Sequence, residues 1–278
     1  MKTFFVALLG LLLLTANAEA KGHFETLDCD GFRLHVYNSG DVMADTSFIV
    51  EGKDGLVTME LPLFKENAKE FDAYVAALKK PVVQVVTNYH AGSAPGAPVF
   101  MPQGMPAFMK GEVYTGMLAH FRQTFGDSMV DIAEVAATEV PFGETVTLAG
   151  VPFTFLKGAA SDFPAASIII GKQQVYYSHW TPAKAHTSHL QTGTPQAIDA
   201  EIDAAQAALA SGCRYFVGGH GGIAGEGALQ FRLDYLKALK KLRADCATAE
   251  DFMAAVKKAY PGLPGEEGLK DLAQALYK

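Results

Sequence analysis

The stretch Val82-Val83-Gln84-Val85-Val86-Thr87-Asn88-Tyr89-His90-Ala91-Gly92-Ser93-Ala94-Pro95-Gly96 carries the reading of the fold. Residues 82–86, set behind Pro81, form a short valine-rich run bounded by turn residues, the pattern of a buried strand. The run feeds directly into a loop, residues 87–98, rich in Gly, Ala and Pro. In an α/β architecture ligands collect where a buried strand gives way to such a loop. Near the other end Arg214-Tyr215-Phe216-Val217-Gly218-Gly219-His220-Gly221-Gly222 repeats the plan: strand, glycines, one histidine, then a helix. The glycines let backbone approach a ligand closely.

Working outward, residues 24–27 and 32–37 flank Asp30-Gly31, and residues 47–51 and 56–60 flank Asp54-Gly55, so each pair predicts a hairpin. Residues 65–78 place Phe71, Val75 and Leu78 at helical spacing. After a Met- and Phe-rich middle, residues 101–131, that mixes helix with loop, strands resume at 145–148, 151–156, 167–170 and 174–177. Residues 195–210 read as an Ala-rich helix, 215–217 as a strand, 228–242 as a helix, and 249–259 and 266–277 as two closing helices. Hairpins, helix and strand thus occur twice in the same order. That order predicts an α/β fold of two mixed sheets packed face to face with helices outside, a four-layer αβ/βα sandwich, rather than one doubly wound parallel sheet. No linker splits residues 21–278, which are expected to form one domain with extra C-terminal helices from about residue 249.

The strand-end motifs resemble those of the metallo-β-lactamase fold superfamily, over roughly residues 23–243. That family sets His-x-His-x-Asp-His after a buried strand, further ligands after later strands, and a Gly-His near the end, around one or two zinc ions. The resemblance implies the four-layer sandwich and assigns positions one by one. Asn88 stands at the first histidine, His90 at the second, Gly92 at the aspartate and Ser93 at the last histidine. Asp162 is the oxygen donor in the stretch where another ligand is expected. His179 or Trp180 occupies the next ligand position, and His220 matches the final histidine. Measured against the family pattern, the metal motif is largely lost.

A catalytic zinc needs about three protein donors and an open position for water. His90, His179 and His220 supply three imidazoles from three strand ends. The resemblance therefore implies a hydrolase with an atypical, mononuclear zinc site, with Asn88 orienting water or polarising a substrate oxygen. The alternative is a ligand-binding or interaction protein on the same fold with no metal. Gly219 joins the pocket residues Ser93, Asp162 and Trp180. His186-Thr187-Ser188-His189, behind Pro182, reads as a polar loop near the mouth whose histidines are able to complete a site around His179. Gly-x-Ser-x-Gly is absent around Ser93, and the 218–222 glycines lack the Lys-Ser/Thr of a phosphate-binding loop.

Residues 1–20 have the plan of a signal peptide: Lys2, an apolar run at 4–14 and small residues at Ala16, Ala18 and Ala20. The run is about half the ~20 residues a bilayer requires. The protein is expected to be exported, periplasmic or secreted, with no membrane span after signal removal. A formal charge of −7 and scattered Lys and Arg give no basic face for nucleic acid. A small-molecule substrate is the expected partner. Cys29, Cys213 and Cys246 allow one disulfide and a leftover thiol, with the pairing open.

Overall fold

The computed structural model describes residues 22–92, 96–132, 134–159 and 164–278. The proposed signal segment, Ser93 and Asp162 lie outside the described residues.

Two mixed sheets form the body. The first has seven strands in sequence order: β1 (His23–Cys29), β2 (Phe32–Asn38), β3 (Thr46–Glu51), β4 (Leu56–Met59), β5 (Val82–Val86), β6 (Val99–Pro102) and β7 (Ala137–Val140). The second has six, running from β13 (Ile223–Ala224) through β12 (Tyr215–His220), β11 (Val175–Trp180), β10 (Ala166–Ile170) and β9 (Val151–Lys157) to β8 (Thr145–Leu148). Both halves begin as antiparallel hairpins and switch to parallel pairing after a helical crossover. In the first half, α1 (Lys65–Ala77) carries β4 to its parallel neighbour β5. In the second, α4 (His189–Thr192) and α5 (Pro195–Ala210) carry β11 to its parallel neighbour β12. The repeated order in the sequence is therefore a repeated topology.

Local chemistry sets the elements. Gly31 takes φ 83° in the β1–β2 turn, a conformation that costs an L side chain about 1–2 kcal/mol. Thr194 caps α5 by accepting the Ala197 N–H at 3.0 Å, with Pro195 at the first helical position. The main core lies between the sheets, where Leu34, Phe48, Val50, Phe153, Phe155, Ile168 and Val217 are fully enclosed.

The middle stretch resolves into two helices, α2 (Met105–Met109) and α3 (Glu112–Phe125), flanked by β6 and β7, two strands the sequence reading did not find. Beyond α6 (Glu226–Asp245), the C-terminal helices α7 (Ala249–Ala259) and α8 (Leu269–Leu276) bury Phe252, Val256, Leu272 and Leu276 against Tyr235 and Leu239 of α6. Residues 266–268, expected in the last helix, form a 3₁₀ turn ahead of α8. All three cysteines are free thiols, so the option of a disulfide is not taken. No helix among the described residues is long and apolar enough to cross a membrane.

Candidate metal centre

Three strand ends converge at one edge of the sandwich. β5 delivers His90, β11 carries His179 near its end, and β12 ends on His220, with Trp180 and His220 in register across the parallel pair. Carboxyl ends of parallel strands are where open α/β sheets place ligands. One nitrogen from each ring lies within 4.8 Å of the others, and these three residues are the metal-competent cluster among the described residues. Ring centroids stand 4.8 Å apart for His90 and His220, 5.0 Å for His179 and His220, and 5.7 Å for His90 and His179.

Each ring is held from behind. The His220 Nδ1–H donates to the Met43 carbonyl at 3.0 Å, with Asp45 Oδ1 at 3.3 Å, which leaves Nε2 with its lone pair free. His179 stacks on Tyr89, with centroids 3.9 Å apart and planes inclined by 7°, and Trp180 stacks on His220 at 4.4 Å. His90 places Nδ1 3.6 Å from Glu60 Oε2, and that buried nitrogen has no hydrogen-bond partner.

Burial keeps the rings neutral, the form that binds metal. Desolvation pushes His90 down to about 4. His220 falls to about 4 as well, through desolvation first and the neighbouring His90 second. His179 is driven well below the ordinary histidine value by desolvation and by both other rings.

Glu60 shapes the His90 loop, a role the sequence reading missed. It is fully buried and takes φ 52°, the left-handed region, where an L residue is held only by compensating contacts. Its carboxyl supplies them, accepting the N–H groups of Asn88 at 2.9 Å, Tyr89 at 3.2 Å and His90 at 2.7 Å. Complete burial nonetheless raises its pKa to about 8. A charged residue directly after the short, buried strand β4 is the one sign of this in the sequence. Asp45, also missed, is pushed up to about 7 by burial. Its link to His220 spans most of the chain and leaves no local mark.

Asn88 is bonded across to the second sheet. Its Nδ2 donates to the Ala166 carbonyl and its Oδ1 accepts the Ala166 N–H, both at 2.8 Å, in a site 1% exposed. Oδ1 and one Nδ2–H thus tie β10 to the ligand loop, so Asn88 acts as a clamp between the sheets. The His186 Nδ1 bonds the Tyr235 hydroxyl at 2.7 Å and its backbone N–H donates to the Pro264 carbonyl, which ties it to the C-terminal helices. His189 opens the short helix α4 and is not a member of the histidine cluster.

Two glycines explain the ligand set. A Cβ at Gly92 would lie 2.5 Å from the Leu61 backbone, so the aspartate that the resemblance places there does not fit this loop. A Cβ at Gly219 would lie 2.9 Å from His90 Cε1. Glycine at 219 is what allows β12 to pass beside the His90 ring.

No family model matches the sequence, and no curated protein matches it. Solved structures do. The stereoselective inverting sec-alkylsulfatase Pisa1 from Pseudomonas sp. superposes with a TM-score of 0.61 at 19% identity, over 87% of this chain and 48% of that one. A metallo-β-lactamase family protein from Thermus thermophilus gives 0.59 at 15% identity, over 89% and 92%. The DIM-1 metallo-β-lactamase gives 0.53 at 13% identity, over 78% and 98%. The chain thus spans about half the length of the alkylsulfatase and nearly all of the β-lactamase. These likenesses show one thing about the chain: its fold is that of the metallo-β-lactamases.

Proposed function

We propose that this metallo-β-lactamase-fold chain is a metal-dependent hydrolase using one zinc ion held by His90, His179 and His220. The observation that carries the reading is the convergence of three neutral imidazoles at the ends of three strands. The donor set fits the ion. Three nitrogen ligands with an open fourth position is the arrangement of catalytic zinc, and nitrogens within 4.8 Å need only a modest inward shift to reach Zn–N distances of ~2.0–2.1 Å. When bound, zinc supplies Lewis acidity and acidifies a water towards neutrality. A second ion has no support from Gly92, which offers no donor.

The protein's own groups do the rest. Met43 and Asp45 engage the His220 Nδ1, so that Nε2 is the nitrogen left to bind a metal. Glu60 locks the backbone of residues 88–90 and so sets where His90 stands. Tyr89 and Trp180 cover ring faces and restrict water to the open side. With all three ligands neutral, the site keeps the metal's full positive charge. That charge favours an anionic or strongly polarised centre such as an ester, lactone or phospho- or sulfo-ester. The signal-like residues 1–20 support export, to the periplasm or medium.

The test is hydrolysis of p-nitrophenyl acetate, phosphate and sulfate by protein prepared metal-free and then given one equivalent of zinc. Turnover of at least one ester that appears with zinc and falls by more than about 100-fold in folded His90→Ala and His220→Ala supports the reading. Turnover unchanged by either substitution, or no zinc-dependent turnover, overturns it in favour of a non-catalytic binding protein.

A further inference from the structure

Beside the histidines a cavity of about 690 Å³ runs under α5, between that helix and the outer face of the second sheet. Its volume lies in the range of small-molecule sites, ~300–1,000 Å³. One end is at His179, Trp180 and Pro182, the other at Ala208, Phe216 and Leu229. The orientation follows from topology: β11 runs towards the site, and α5 returns antiparallel to it, so Ala197 lies near the histidines and Ala208 far from them. Residues 197 to 208 of the helix, at about 1.5 Å each, make this about 16 Å.

The wall chemistry is one-sided. α5 presents Ala197, Ala200, Ala204 and Ala208 to the cavity, so the helix leaves a slot where larger side chains would close it. Tyr176 and Phe216 line the opposite wall. The charged wall groups cancel: the Arg232 guanidinium donates to Glu201 at 3.3 Å and to Gln191 at 2.9 Å, with the Arg232 and Glu201 side chains 10% and 20% exposed. His179 joins slot and cluster, because its ring lines the cavity while offering a nitrogen to the metal-competent group.

We propose that the slot holds the apolar body of the substrate, an unbranched aliphatic chain lying along α5, with the polar group to be hydrolysed placed at the three histidines. The inference rests on the hydrolase reading for its reacting end, and the slot's preference is measurable without turnover. Walls whose only charges are paired with each other select a chain without internal charge. A slot about three helical turns long sets a limiting chain length. Leu190, 55% exposed and part of the cavity lining, gives an apolar lip for entry.

The experiment is calorimetric titration of the zinc-loaded full chain with saturated alkanoates from hexanoate to tetradecanoate, repeated for Ala204→Phe and Ala208→Phe. Each added methylene is expected to tighten binding about fourfold until the slot is full, after which affinity levels off. The levelling point moves to a much shorter chain in Ala204→Phe and to a slightly shorter one in Ala208→Phe. Should either phenylalanine variant fail to fold, Ala204→Leu reads the same shortening. In His90→Ala the dependence on chain length persists while the overall affinity falls. A flat series in the unsubstituted protein, or a levelling point unmoved in the folded slot-filling variants, overturns the proposal. A protein that binds the series with this dependence yet hydrolyses nothing retains the slot assignment and loses only the hydrolase reading.

Discussion

Gly219→Ala tests how tightly the metal centre is built. The added methyl would stand 2.9 Å from His90 Cε1 and 3.2 Å from the Tyr177 hydroxyl, against an ordinary contact of about 3.5 Å or more. The His90 ring, 3.6 Å from Glu60 Oε2, must therefore retreat by roughly half an ångström. Gly219 does not sit at positive φ, so alanine gains about 0.4–1 kcal/mol from the unfolded chain. That gain offsets part of an overpacking cost of about 1–3 kcal/mol, and the fold survives. Zinc affinity is more sensitive: disturbing the groups around a ligand costs roughly 10–100-fold, and displacing the ligand itself belongs at the upper end. Chelator-competition titration with zinc measures this, and thermal unfolding measures the stability change. Gly222→Ala is the control, because its added methyl meets nothing closer than 3.8 Å. Zinc affinity in Gly219→Ala within about threefold of the unsubstituted protein, well short of that range, would refute the placement of His90 in the centre.

Three further outcomes follow from the same geometry. Asn88→Ala strands the buried N–H and C=O of Ala166, and urea unfolding should show a loss of about 2–4 kcal/mol. The unfolding temperature of the metal-free protein should fall as pH rises from about 6.5 to 8. His90 and His220 are depressed from 6.5 to about 4, so their share of stability is present above 6.5 and lost as pH falls towards 4. Glu60 and Asp45 are raised to about 8 and about 7, so their share is present at low pH and lost as pH rises through those values. A curve that climbs steadily to pH 8 would contradict that assignment. Thiol titration of the denatured protein without reductant should count three groups, and a count of one would show a disulfide.

The fold was legible because its determinants are local. The hairpin turns at Asp30-Gly31 and Asp54-Gly55, the valine run of β5 and the glycine-flanked β12 each carry their signal within a few residues. The order of those signals was enough to predict two sheets. The short strands β6 and β7 and helix α2 lie in a stretch where Met and Phe occur without a clean period, and no pattern separated them. The site was legible in part. His90 and His220 stand at strand ends, where a single histidine is conspicuous. The choice between His179 and Trp180 turned on one residue of register, and the fold resolves it by turning His179 to the cluster and laying Trp180 over His220.

What escaped was pairing across long separations. Asn88 looks like a polar group aimed at substrate until Ala166, 78 residues away, takes both ends of its amide. Glu60 serves a loop 28 to 30 residues further on, and Asp45 serves His220 from the turn between β2 and β3. Gly92 reads as a lost ligand, whereas the backbone of Leu61 shows a loop built with no room for that ligand. These contacts are set by packing of one sheet on the other, which periodicity does not encode.

The proposed chemistry turns on one ion among three histidines. An anomalous-difference map at the zinc edge, from crystals of the full chain given one equivalent of zinc, tests it directly. A single peak is expected at about 2.0–2.1 Å from one ring nitrogen each of His90, His179 and His220. A map with no peak between these rings, or with zinc bound elsewhere, would contradict it.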